Sequence, residues 1–324
     1  MTTAEGTGPA SLETARAAMA LYPLSTAARV ELVRYGENTT YRVTDGQRSM
    51  ALRLARPGYQ SRDGMESEIA WMSALREQGI DTPEVVPGAD GRAVQQLLRA
   101  GGGVQLAVAF EWVEGVPLPD VEGPQPWRRL GEIMATLHEQ SRAWSPPEGF
   151  TRPAWDLEAL VGDSPRWGSP VPAGVWSAPD LDLILAARDA VRERLRRFGK
   201  APSRFGLIHS DLGFENVLVQ PDGSTVLIDF DDCGASWYLY DLASVLYPLE
   251  STTSFDPSRE LLLEGYCGVA EEIAELPTFL MCRRLATLGW MFTRAGTPHA
   301  ERQRARRLAT TPAAAARFLV WHGG

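Results

Sequence analysis

The stretch FGLIHSDLGFENVLVQPDGSTVLIDFDD, Phe205 to Asp232, decides the reading of the chain. Three short apolar segments stand in it: Gly206-Leu207-Ile208, Val217-Leu218-Val219 and Thr225-Val226-Leu227-Ile228. Pro221-Asp222-Gly223 has turn composition, so the last two segments predict a β-hairpin. The polar loop His209 to Glu215 follows the first segment. Asp211 and Asn216 lie at opposite ends of that loop, and the hairpin returns Asp229 to the side of Asn216. Two carboxylates and an amide are thereby gathered at one edge. Oxygen ligands of this kind suit a hard cation such as Mg²⁺, which takes one or two carboxylates plus substrate phosphates. Asp211 is left over to receive the proton of an attacking hydroxyl. Alignment, charge neutralisation and orientation of a nucleophile are the needs of phosphoryl transfer.

Outward from this island the chain changes character. Residues 10–21 have helical spacing. Residues 30–35, 40–43 and 50–54 are rich in β-formers and are separated by the turn signals Gly36-Glu37-Asn38 and Asp45-Gly46-Gln47, which predicts an antiparallel meander. A helix is expected over 64–78, with Ile69, Met72 and Leu75 on one side and Glu66 and Glu68 near its start. Strands are expected at 93–98 and 104–112, separated by Gly101-Gly102-Gly103. Beyond the connector Gly115-Val116-Pro117-Leu118-Pro119, helical patterns cover 126–141, 180–198, 257–275, 278–294 and 300–319. Residues 144–179, rich in Pro, Gly, Trp and Ser, read as an irregular insertion. The outline is an α+β chain in three parts: an N-terminal helical extension (1–27), a small β-rich lobe with one helix (28–112), and a larger, mainly helical lobe (113–324).

The 324 residues carry 32 Lys+Arg against 41 Asp+Glu, a net charge of −9. An acidic chain of this kind disfavours a general nucleic-acid binder, which needs a basic surface. No apolar run approaches the roughly 18 residues of a membrane span. Met1 to Pro9 has no basic residue before an apolar stretch and does not read as a signal peptide. Cys233, Cys267 and Cys282 form no CxxC pair and are odd in number, which argues against disulfides and a structural zinc site and fits a reducing cytoplasm. Lys200 is the only lysine, so a role that needs a lysine falls to Lys200 or to an arginine.

His209-Ser210-Asp211-Leu212-Gly213-Phe214-Glu215-Asn216 resembles the H-x-D-x-x-x-x-N catalytic loop of the aminoglycoside phosphotransferase and choline kinase superfamily. Ile228-Asp229-Phe230-Asp231 resembles its metal-binding segment, and Tyr240-Asp241-Leu242-Ala243 its D-L-A signature. The segments ALRLARPGY and ESEIAWMSAL are similar to the homoserine-kinase-like and hydroxylysine-kinase-like small-molecule kinases. The resemblance implies a two-lobed protein-kinase-like fold and ATP-dependent transfer of the γ-phosphate to a hydroxyl of a small molecule. It implies Asp211 as catalytic base, Asn216 and Asp229 as Mg²⁺ ligands, Asp231 as a supporting acid, His209 as a structural residue of the loop, and Asp241 as its brace. Arg53 stands where relatives present a phosphate-binding lysine, and a guanidinium can grip phosphate at two points. Glu68 is its expected ion-pair partner, with Glu66 as competitor. Residues 36–40 would lie over the phosphates with Asn38 and Thr39 cradling them, and main-chain groups of Glu111 and Val113 would read the adenine edge.

Several readings stay open on the residues alone. Asp241 could be the N-cap of the helix containing Leu242 and Val245. Asp232 and Cys233 could be plain loop residues. Trp144, Trp155, Trp167 and Trp176 could be packing or the wall of an acceptor pocket. A protein Ser/Thr kinase, a nucleotide-binding pseudokinase and an aminoglycoside kinase share the motifs. The last would need an acidic wall, for which Glu271, Glu272 and Glu275 are the candidates. Oligomeric state is not legible.

Overall fold

A computed structural model describes residues 10–99, 102–121, 123–268 and 270–323, so Met1 to Pro9 and Gly101 of the expected glycine hairpin lie outside the described residues. The first helix, α1 (Leu12–Met19), is capped by Ser11, whose hydroxyl accepts from the Thr14 N–H at 3.1 Å. The strands β1 (Arg29–Tyr35), β2 (Thr39–Asp45) and β3 (Arg48–Leu54) form the expected antiparallel meander. Gly46, at φ 63°, supplies the left-handed residue of the tight β2–β3 turn. The strand β6 (Val104–Glu111) joins β3 on one edge. On the other it takes β5 (Val94–Leu98) and the two-residue β4 (Val85–Val86).

Alternation in β2 splits two environments. Thr39, Tyr41 and Val43 are buried, and Tyr41 and Val43 pack with Ala15 and Ala18 of α1. Thr40 and Arg42 face the opposite way, as a period of two requires. The helix α2 (Arg62–Glu77) starts at the Ser61 cap and buries Met65, Glu68, Trp71, Met72 and Leu75 along one face.

The larger lobe packs α3 (Gln125–Ala143), α5 (Ala178–Phe198), α6 (Tyr238–Leu246), α7 (Phe255–Tyr266), α9 (Leu276–Thr293) and α10 (Pro298–Gly323), with the short α4 (Leu157–Val161) and α8 (Ala270–Ile273). Gly131 of α3 and Gly265 of α7 let these helices touch: a Cβ at Gly131 would sit 2.1 Å from the Leu262 carbonyl oxygen. Strand β8 (Phe205–Ile208) leads into the loop His209 to Asn216 and pairs with β11 (Gly234–Trp237). The hairpin of β9 (Val217–Val219) and β10 (Thr225–Leu227) is joined by β7 (Val116–Pro117) from the connector. This is the two-lobed α+β, protein-kinase-like architecture.

Four local expectations are corrected. The helix over 257–275 is two helices, because Cys267 caps α7 in the left-handed conformation at φ 49° and stops the ladder. The return strand ends at Leu227 and not Ile228, since Asp229 turns left-handed. The insertion 144–179 contains α4. Asp241 is no N-cap: Trp237 holds that position, and Asp241 sits one turn inside α6.

Candidate active site

The loop His209 to Asn216 hangs from one buried carboxylate. Asp241 accepts the main-chain N–H of His209 at 3.0 Å and that of Ser210 at 2.7 Å. It also receives His138 Nε2 at 3.2 Å, while His138 Nδ1 meets the Tyr266 hydroxyl at 2.9 Å. Burial, outweighing the pull of Asp241, keeps the His138 pKa below its ordinary value, so the ring is a neutral donor. Ser210 takes φ 70°, which turns the chain sharply toward Asp211. The Asp211 N–H donates to His209 Nδ1 at 3.3 Å, so the proton of the neutral His209 ring is on Nε2, which donates to the Ile228 carbonyl at 3.0 Å. His209 thereby ties the loop to the end of the hairpin.

Asp211 and Asn216 come together. The Asn216 amide donates to the Asp211 carbonyl at 2.8 Å, and its nitrogen lies 3.4 Å from Asp211 Oδ2. Asn216 is buried, and its Oδ1 has no hydrogen-bond partner among the described residues. The other Asp211 oxygen, Oδ1, accepts from Arg283 Nη2 on α9. Burial alone would raise the Asp211 pKa; Arg283 and Arg34 together overcome it and hold the carboxyl below its ordinary range.

Asp229, at φ 63°, projects into the same cleft with Arg53 Nη1 3.7 Å and Arg34 Nη1 3.8 Å away. Arg34 also meets Glu215 at 3.1 Å. Asp231 is buried, accepts from Asn38 Nδ2 at 2.8 Å and lies 3.9 Å from Arg53. Desolvation pushes its carboxyl up to about 6 against the opposing charge of Arg53. Asp232 is more than loop filler. It lines the cleft, accepts from the Tyr59 hydroxyl at 2.5 Å, and is raised well above its ordinary pKa by burial and then by Asp231. Cys233 is buried, and its thiol is pushed up to about 12. No set of three or more His, Cys, Asp or Glu side chains among the described residues is arranged to cage a metal.

From the small lobe, Arg53 meets Glu68 bidentately, Nη1–Oε1 at 2.8 Å and Nη2–Oε2 at 2.7 Å. The competitor Glu66 is occupied on the surface by Arg62 at 2.8 Å. Lys200 pairs with Asp156 at 2.7 Å on the exterior. Asn38 faces the cleft and also accepts the Arg56 N–H at 3.2 Å. Thr39 does not face it: its hydroxyl accepts from the Ala10 N–H at 2.9 Å on the α1 side, and Thr40 lines the cleft in its place. Glu111 and Val113 stand apart from this cavity. The Glu111 N–H donates to the Glu84 carbonyl at 2.8 Å, and its side chain meets Arg48 at 3.1 Å.

The cavity measures about 440 Å³ and runs from the Gly36–Thr40 turn past Asp211 to α9 and α10. Trp167 lines it, packed at a tilt of 42° against the buried Trp155 with ring centroids 4.6 Å apart, whereas Trp144 packs on Phe150. Packing and wall are thus divided among the tryptophans. Glu272 and Glu275, expected as an acidic wall, are ion-paired to Arg204 and Arg194 at 2.8 and 2.7 Å, and neither they nor Glu271 line the cavity. Arg283, Arg34 and His138 are the contacts that the motifs did not point to. No described helix is long and apolar enough to cross a membrane.

The fold has counterparts among known proteins. A solved microcompartment-associated aminopropanol kinase is 35% identical, with a TM-score of 0.88 over 97% of this chain and 99% of its own. An amicoumacin kinase solved with AMP-PNP and Ca²⁺ shares the fold at 22% identity, with a TM-score of 0.74 over 93% of this chain and 92% of its own. The homoserine kinase of Sinorhizobium fredii is 29% identical over 250 residues, 72% of this chain and 71% of its own. Residues 32–276 match the phosphotransferase enzyme family, and the chain belongs to that family of kinases.

Proposed function

We propose that this chain moves the γ-phosphoryl group of ATP to a hydroxyl of a small molecule in the cytoplasm, an amino alcohol, hydroxy amino acid or related metabolite. The observation that carries the reading is the orphaned Asn216 Oδ1, buried beside Asp211 in the cleft that Asp229 also enters. A buried amide oxygen without a partner is costly unless a ligand completes it. Asn216 and Asp229 would hold Mg²⁺: two protein oxygens, with no protein cage, is what an ion that also binds phosphates requires. When bound, the ion supplies neutralisation of phosphate charge.

The chain's own residues do the rest. Arg53 and Arg34 place guanidiniums within 4 Å of Asp229, in reach of phosphate oxygens beside it. Asn38 and the N–H groups of the Gly36–Thr40 turn cover them. Asp211, kept ionised by Arg283, accepts the hydrogen bond of the acceptor hydroxyl and fixes its line of attack. Asp231 supports Asn38, Asp241 holds the loop, and the Glu111 carbonyl with the Val113 N–H is the pair offered to a purine edge.

The test is coupled ADP release over a panel of hydroxylated small molecules, with and without Mg²⁺. Mg²⁺-dependent ADP release that requires an acceptor is the expected result. Nucleotide binding without release for any acceptor would leave a nucleotide-binding pseudokinase.

A further inference from the structure

The far end of the cavity carries a charge that phosphoryl transfer does not use. Arg302 and Arg306 of α10 are four residues apart, and Arg307 follows on the same side of the helix; all three line the cavity with Arg284 of α9. Glu250 is the carboxylate at this end, and it is already taken by Arg284 Nη2 at 2.7 Å. The other lining acids belong to the Gly36–Thr40 turn and to the 211–232 segment. No carboxylate among the described residues lies within ion-pair distance of Arg302, Arg306 or Arg307. Arg307 rests on the Tyr247 ring at 4.1 Å and donates from Nε to Gln303 at 2.7 Å, both neutral partners. Burial, relieved in part by Tyr247, and then the repulsion of Arg284 and Arg283 hold its guanidinium below its ordinary pKa. The Thr287 hydroxyl of the same wall is buried without a hydrogen-bond partner among the described residues.

A guanidinium that is partly desolvated, crowded by Arg284 and Arg283 and without a carboxylate partner, as Arg307 is, favours an anion in that space, and the exposed Arg302 and Arg306 add their charge at its rim. We infer that the acceptor carries a carboxylate besides its hydroxyl, and that Arg307, with Arg306 and Arg302 at the rim, binds that carboxylate while the hydroxyl is held at Asp211. The inference rests on the phosphotransferase reading above and narrows its acceptor to hydroxy acids, zwitterionic hydroxy amino acids included. A cationic acceptor without a carboxylate meets like charge along this wall.

Matched acceptors that differ only by the carboxylate decide it: threonine against 1-amino-2-propanol, and homoserine against 3-amino-1-propanol, with glycerol 3-phosphate as a phosphate-bearing arm. Charge-assisted recognition predicts kcat/KM about tenfold or more higher for the carboxylated member of at least one pair. Arg307→Met should bring that ratio toward one, chiefly through KM. Arg306 is exposed, so Arg306→Met preserves the fold and should shrink the ratio in the same direction. Equal or faster turnover of the amino alcohols, or a ratio untouched by both substitutions, overturns the inference and leaves phosphotransfer standing. Faster turnover of glycerol 3-phosphate than of any carboxylated acceptor overturns the carboxylate. Silence with every acceptor counts against phosphotransfer to small molecules itself.

Discussion

Arg53 and Glu68 close a two-point ion pair of 2.8 and 2.7 Å between strand β3 and helix α2, in an interior where Glu68 is fully buried. The pair sets where the remaining Arg53 nitrogen surface points: toward Asp229 at 3.7 Å and Asp231 at 3.9 Å. Helix α2 thus positions the cation of the cleft without entering it. Removing one partner of such a pair leaves the other charge buried. Glu68→Gln should therefore lose about 3–5 kcal/mol of stability in urea unfolding. Arg53→Lys keeps the charge but cannot span both Glu68 oxygens, so it should lose less stability and raise the KM for ATP.

Asp211 is partly exposed and held by an arginine, so its loss should be felt in chemistry more than in folding. Asp211→Asn should lower kcat by about 10²–10⁴, and it should also lower the thermal midpoint, because the buried Arg283 loses its counter-charge. Affinity for AMP-PNP by calorimetry should stay near that of the wild type. A matching loss of nucleotide affinity would contradict a role confined to the acceptor hydroxyl.

His138 gives a pH signature. Its folded pKa is depressed by burial, whereas the unfolded chain takes up a proton near the ordinary value of 6.5. Below that value the unfolded state binds more protons than the folded state, so stability falls as pH falls. The urea midpoint of the wild type should drop between about pH 7.5 and 5.5, and His138→Gln should show a shallower drop over the same window. An unchanged slope would mean that the ring takes up its proton over the same pH range in the folded as in the unfolded protein.

Much of this was legible because it is local. The 209–216 loop and the hairpin place Asp211, Asn216 and Asp229 within one strand–loop–strand unit, whose turn chemistry fixes their order. Alternation in β2 carries the answer for the turn: Thr39 shares a face with the apolar Tyr41 and Val43, which leaves Thr40 as the residue facing the cleft. Arg283 was hidden for a different reason. It is one of 31 arginines and reaches Asp211 across 72 residues by helix packing, which leaves no spacing to read. His138 reaches Asp241 across 103 residues in the same way. The strands β4 and β7 have two residues each, too few for alternation to appear.

The proposed phosphotransfer stands on Asp229, with Asn216, holding the metal that the nucleotide's phosphates share. Coupled ADP release by Asp229→Ala, at saturating ATP, Mg²⁺ and acceptor, tests it most directly. Turnover should fall by about 10³ or more in a protein that still unfolds cooperatively, as loss of a group that helps neutralise transition-state charge requires. Wild-type turnover by Asp229→Ala would contradict it.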